Sequence, residues 1–174
     1  MTTSFTIFNY KVYLIVNKEF NRNMPKTSAR SVAAKFIDNS LAEDLRLTNM
    51  QVQKMVYIAN GLYLALKGEP LIREEVKVWN YGPVIEDLYH SLKIYGNGYV
   101  TNNLLFTYND PLPNDADIDT VMNFTWESCK NLDGIQLSNW THKDDSPWTK
   151  ASKEHKKIIP NEYMEEFFKK FIKD

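Results

Sequence analysis

The densest group of reactive side chains in the sequence surrounds His142, with Trp140, Asp144, Asp145, Ser146 and Trp148 all a few residues away. A histidine near a serine and carboxylates has the residue types of an activated nucleophile. Sequence neighbours seldom form such a site, because its members must converge on one point from separate elements, and Ser146 directly before Pro147 stands where a helix cap belongs. The expectation is therefore a structural histidine, its imidazole hydrogen-bonded to loop backbone between two indoles. Asp115-Ala116-Asp117-Ile118-Asp119 opens like a calcium loop, but Thr120 occupies the position of the obligatory glycine and Trp126 that of the closing glutamate. It reads instead as a helix start with dipole-compensating acids.

Cys129 is the only cysteine. An intramolecular disulfide and a cysteine-built zinc site are thereby excluded, and a packed thiol in a reducing cytoplasm is expected. His90 and His155 fall on polar faces, and the Glu74-Glu75 and Glu165-Glu166 pairs read as solvated. Lys153 to Lys157 holds three lysines but also Glu154, a weak signal for nucleic acid. No phosphate-cradling glycine loop, paired zinc ligands at helical spacing or nucleophile elbow is found. The chemistry points to a binding module without cofactor or metal, and not to an enzyme.

The length, 174 residues, suits one domain with a real core, and 25% charged residues with 43% hydrophobic place it in the globular class. The 21 basic side chains nearly cancel 22 acidic ones, which argues against a dominant phosphate-binding surface. The apolar run Phe5 to Val16 fails as a signal peptide: no basic residue precedes it, Asn9 and Lys11 interrupt it, and Asn17-Lys18-Glu19 replaces a cleavage site. It is also too short to span a bilayer. Residues 1–27 are read as a β-prone or partly mobile extension, with Met24 an alternative natural start, and 28–174 as the domain.

The elements that must position any site follow from periodicity. A first helix is expected from Ser28 to Leu41, with Val32, Ala33, Phe36, Ile37 and Leu41 inward and Ser28 or Ser31 as cap. Thr48 and Gln51 have the spacing of a capping box, opening a long helix that carries Val52, Met55, Val56, Ala59, Leu62, Tyr63 and Leu66 and ends at Gly68. Gly61 in its middle predicts the close crossing of another backbone. Glu75 to Trp79 alternates like a short strand, which would put Trp79 and Tyr81 on one face. Gly82-Pro83 is expected to start a helix running to Tyr95 and stopped by Gly96. Residues 101–117 read as a variable loop. Asp117 is expected to cap a helix to Leu132, ended by Asp133-Gly134. A short helix over Leu137 to His142, a second capped by Ser146, and a last one from Pro160 with Tyr163, Met164, Phe167, Phe168 and Phe171 complete the domain.

Several of these words occur in a specific order: Val32-Ala33-Ala34-Lys35-Phe36-Ile37, then Leu47 to Tyr57 with Gln53, Lys54 and Tyr57, then Gly61 to Leu71, then Val78-Trp79-Asn80-Tyr81-Gly82-Pro83-Val84. Leu137-Ser138, Thr141-His142 and Ser146-Pro147-Trp148 follow as a second block. From Ser28 to Ile172 the chain resembles the Panacea domain family, which includes SocA-like antitoxins and prophage GepA-like proteins. The resemblance implies a mainly α fold, a compact single helical domain with a small β-strand or hairpin component. It implies an antitoxin that neutralises a cognate protein toxin by direct binding, small alarmone synthetases being among the toxins faced by the family. Two alternatives come with it, a phage-encoded inhibitor of a bacterial defence protein and an adaptor that delivers a toxin to a protease.

The family-motif residues Gln53, Lys54, Tyr57, Trp79, Tyr81, Gly82, Pro83, Val84, His142, Ser146, Pro147 and Trp148 are core or partner-binding, and for Trp79, Tyr81 and Pro83 the core is the expectation. Partner specificity is expected in the first 27 residues and in the loop 101–117, where a shared scaffold is free to vary.

Overall fold

A nineteen-residue helix, α2 (Asn49–Lys67), is the axis of the domain; it is buried on nearly every face from Asn49 to Leu64. Thr48 and Gln51 form the capping box, and Gly68 closes the helix in the left-handed conformation at φ 73°. In the computed structural model, which describes residues 27–102 and 110–172, the other elements wrap this axis. They are α1 (Ala29–Ala42), β1 (Val76–Trp79), β2 (Gly82–Ile85), α3 (Glu86–Leu92), α4 (Ala116–Cys129), α5 (Gly134–Thr141), α6 (Pro147–Lys153) and α7 (Asn161–Phe168), with 3-10 turns after α3 and α7. The fold is mainly α with one small antiparallel hairpin. The expected 1–27 extension, Thr27 apart, and residues 103–109 of the variable loop lie outside the described residues.

Ser28 caps α1 by accepting from Ser31 N, and Val32, Ala33, Phe36 and Ile37 are buried on α2. Leu41, expected inward, is 45% exposed, since it lies off the buried stripe that runs through Ala33, Phe36, Ile37 and Ser40. Gly61 does mark a close approach, but by a side chain: a Cβ there would overlap the Phe168 ring of α7. Asn60, also buried, accepts from Leu71 N at 2.9 Å and Ile72 N at 3.3 Å, which satisfies the bend that carries the chain toward the hairpin.

The cap of α4 is Asp115, which accepts from Asp117 N and Ile118 N, and not Asp117. Asp117 instead pairs with Lys67 at 2.6 Å, tying α4 to the end of α2. Asp133 does not merely end a helix; it caps α5 in a capping box with Gln136, so α5 starts at Gly134. Cys129 is buried, and that burial pushes its thiol up to about 12. Trp140, Phe167, Phe168 and Phe171 form one aromatic cluster under α7.

The hairpin corrects the expectation of a helix from Pro83. Val76 pairs with Ile85, Val78 with Pro83 and Trp79 with Gly82, and α3 begins only at Glu86. Proline is tolerated in β2 because position 83 faces away from the ladder: Val78 N, directly opposite, donates outward to Lys157 O at 2.9 Å. Ile159 N likewise donates to Val76 O, so the outer edge of β1 is covered by 157–159. Gly82, at φ 101°, makes the turn possible.

Candidate functional site

The turn Trp79–Gly82 is fixed from below by side chains of three separate elements. From α2, Lys54 Nζ donates to Tyr81 O at 2.8 Å and to Pro83 O at 3.0 Å. One helix position before it, Gln53 acts as a surrogate strand for β2, accepting from Ile85 N at 2.9 Å and donating to Ile85 O at 3.2 Å. The free edge of the sheet is thus closed by two side chains. From α5, Ser138 Oγ donates to Tyr81 O at 3.1 Å, and from α6, Trp148 Nε1 donates to Trp79 O at 3.0 Å.

Lys54 is buried, with 1% of its surface exposed. Burial pushes its ammonium down to about 7, while the two carbonyls at hydrogen-bond distance favour the charged form and act against that push. Gly82 has no room for a side chain: a Cβ would lie 2.8 Å from Lys54 Nζ, 2.8 Å from Thr141 Oγ1 and 3.1 Å from His142 Cε1. Conformation and space both demand glycine at this position.

The second motif block is built for the same turn. His142 ends α5, and its Nδ1 donates to Ser138 O at 2.6 Å, which requires the tautomer protonated at that nitrogen. Its ring lies 3.9 Å, centroid to centroid, from that of Trp148. The imidazole is therefore structural, but it meets one indole and not two, because Trp140 turns away into the Phe167–Phe171 cluster. Ser146 caps α6 by accepting from Thr149 N and donates to Thr141 O at 2.6 Å. Its hydroxyl is spent on backbone, Asp145 pairs with Lys170 at 2.8 Å, and the triad-like composition corresponds to no triad. Pro147, the first residue of α6, is buried.

Burial separates the hairpin residues. Pro83 and Val84 are buried, Trp79 is half-buried with its ring edge-on to Tyr89 at 4.9 Å, and Tyr81 is 75% exposed. Tyr81 does not share a sheet face with Trp79, because the chain reverses at Asn80-Tyr81, and the expected core position for it is overturned. Tyr57 belongs to the deep core, edge-on to Phe168 at 5.7 Å, with burial raising its hydroxyl far above the ordinary tyrosine value.

Beside the turn runs a groove of about 760 Å³, walled by Met50, Val78, Trp79 and Tyr89 with Lys54 and Lys93 in its lining. Met50, Tyr89 and Lys93 carried no sequence signal of a site. Their neighbourhood arises from α2, the hairpin and α3 crossing one another, which no local spacing encodes. Among the described residues no cluster of His, Cys, Asp and Glu could hold a metal ion. No described helix is long and apolar enough to cross a membrane.

A family model described as antitoxin SocA-like, Panacea domain, matches residues 52–149. That span holds Gln53, Lys54, the hairpin and the His142–Trp148 block, the whole of the buttressed turn. Antitoxin SocA of Caulobacter vibrioides is 29% identical over 128 residues, covering 69% of this chain and 68% of that protein. No solved structure matches.

Proposed function

The chain belongs to the SocA-like Panacea domain family, and from that premise we propose that it is an antitoxin that neutralises a cognate protein toxin by direct contact. The observation that carries the reading is the Trp79–Gly82 turn itself. Buried or half-buried donors from α2, α5 and α6 converge on its carbonyls, while the Tyr81 side chain that the turn presents is left 75% exposed. A backbone held rigid before any partner arrives removes the main-chain part of the ordering cost for the aromatic it presents, and such anchors are the residues that dominate binding energy.

An enzymatic reading has no comparable support. The His142 group is consumed by hydrogen bonds to backbone, and the thiol of Cys129 is buried and held protonated. A binding function also fits a reducing cytoplasm, the compartment expected for a chain with one unpaired cysteine.

The test is co-expression with a neighbouring small toxic open reading frame, small alarmone synthetase-type toxins being the first class to try. Wild-type chain restores growth and co-purifies with the toxin. Tyr81→Ala does neither while melting at the wild-type temperature. Rescue without a co-purifying complex would overturn neutralisation by direct contact.

A further inference from the structure

Of the five large apolar side chains that stand exposed among the described residues, Tyr81 is in the lining of the groove beside the turn, together with Met50, Val78, Trp79, Val84 and Tyr89. An exposed aromatic at an apolar concavity marks a surface that a partner can cover.

Charge sets the chemistry of the cover. The lining contains Lys54 and Lys93 and no aspartate or glutamate, although acids slightly outnumber bases in the chain as a whole. Outside the groove Lys67 is matched at close range by Asp117 and Lys130 by Glu43. Lys54 donates to two carbonyls and to no carboxylate. A carboxylate entering the groove would favour the charged form of buried Lys54 and meet the exposed ammonium of Lys93. Strand addition is not available to a partner, because 157–159 covers one edge of the hairpin and Gln53 with Lys54 the other. Recognition must come through inserted side chains.

We propose that this groove docks an extended acidic segment of the neutralised protein, which lays apolar side chains on Met50, Trp79 and Tyr89 and brings a carboxylate into the field of Lys54 and Lys93. The identity of the partner rests on the antitoxin reading; the chemistry of the segment rests on the groove. A nucleic acid is the other polyanion, but two lysines between apolar walls offer too few phosphate contacts for counterion release to drive binding.

The test takes the full-length chain and two probes, a displayed library of short random peptides and single-stranded RNA of random sequence. The variants are Lys93→Glu, an exposed charge reversal, and Tyr89→Ala, each checked for an unchanged circular-dichroism melt. Selected peptides should carry Asp or Glu beside aromatic or aliphatic residues, and Lys93→Glu should weaken them at least about tenfold. Peptides without an acidic preference, binding indifferent to both variants, or RNA held in place of peptide would each overturn the assignment. Growth rescue separates the two readings. If wild-type chain rescues and both variants rescue equally, the groove assignment fails and the antitoxin reading stands. If wild-type chain does not rescue but acidic peptides bind in a Lys93-dependent way, the antitoxin reading fails and the groove assignment stands.

Discussion

Lys54 Nζ lies 2.8 Å from the carbonyl oxygen of Tyr81, so a buried amine on the central helix holds the backbone of a residue that is itself 75% exposed. Core and surface are joined through one residue: what Lys54 fixes, Tyr81 displays. The link makes the turn a rigid feature of the domain and not a pliable loop, since the same carbonyl also accepts from Ser138 on α5.

Removing the Tyr81 ring should therefore leave stability almost unchanged. Its side chain makes no buried contact, and surface truncations of that kind fall within about 0.5 kcal/mol. Growth rescue against the toxin should nevertheless be lost. A melt shifted down by several degrees would instead show that the ring packs on the domain.

Gly82→Ala should be severe for a small change. The backbone sits at φ 101°, and the new methyl would meet Lys54 Nζ, Thr141 Oγ1 and His142 Cε1 at 2.8, 2.8 and 3.1 Å. Strain and overlap together should cost on the order of 2–5 kcal/mol, read by urea denaturation. A loss below about 1 kcal/mol would mean that the turn is not held as tightly as its hydrogen bonds imply.

Burial lowers Lys54 to about 7 from the ordinary lysine value near 10.5. Between those values the unfolded chain holds a proton that the folded chain releases, so this residue makes stability rise with pH across that window. Below about 7 both states are charged and the full cost of burying the ammonium is present. Cys129 and Tyr57, held neutral by burial, act in the opposite direction at higher pH. The measurement is therefore the difference between wild type and Lys54→Met by denaturant unfolding from about pH 7 to about pH 8.5, which cancels their contribution. The difference should grow in favour of wild type by up to about 1.4 kcal/mol per pH unit. A flat difference would place Lys54 at its ordinary value, stabilised by its two carbonyls.

Gly61 and Phe168 should couple strongly. A Cβ at Gly61 would overlap the ring, so Gly61→Ala alone should destabilise by about 1–3 kcal/mol. Phe168→Leu alone opens space in a fully buried site and should also destabilise. The double variant should lose less than the sum, with an interaction energy of at least about 0.5 kcal/mol. Simple additivity would mean that α7 shifts freely on α2.

Residues close together in the chain are enough to specify the caps, the helix stop and the first strand of this domain. The capping box of Thr48 and Gln51, the stop at Gly68, the Ser28 and Ser146 caps and the β1 strand are local hydrogen bonds and periodicities, and each is where its residues put it. Family membership was legible for the same reason, because ordered words survive in linear sequence. Local rules erred where two of them competed. Gly82-Pro83 suits a helix start as well as a strand beginning at a turn, and only the outward pairing of Val78 with Lys157 decides for the strand. Asp115 and Asp117 are equally good caps by type, and the reach of Lys67 to Asp117 leaves the capping to Asp115.

What the motif residues do depends on how distant elements cross. Gln53 and Lys54 look like the polar side of a helix, yet they face inward, because the hairpin brings unpaired backbone to that side and a buried amide or carbonyl must find a partner. The exposure of Tyr81 and the groove between Met50, Trp79 and Tyr89 arise in the same way, from where three elements cross, and no spacing along the chain records a crossing.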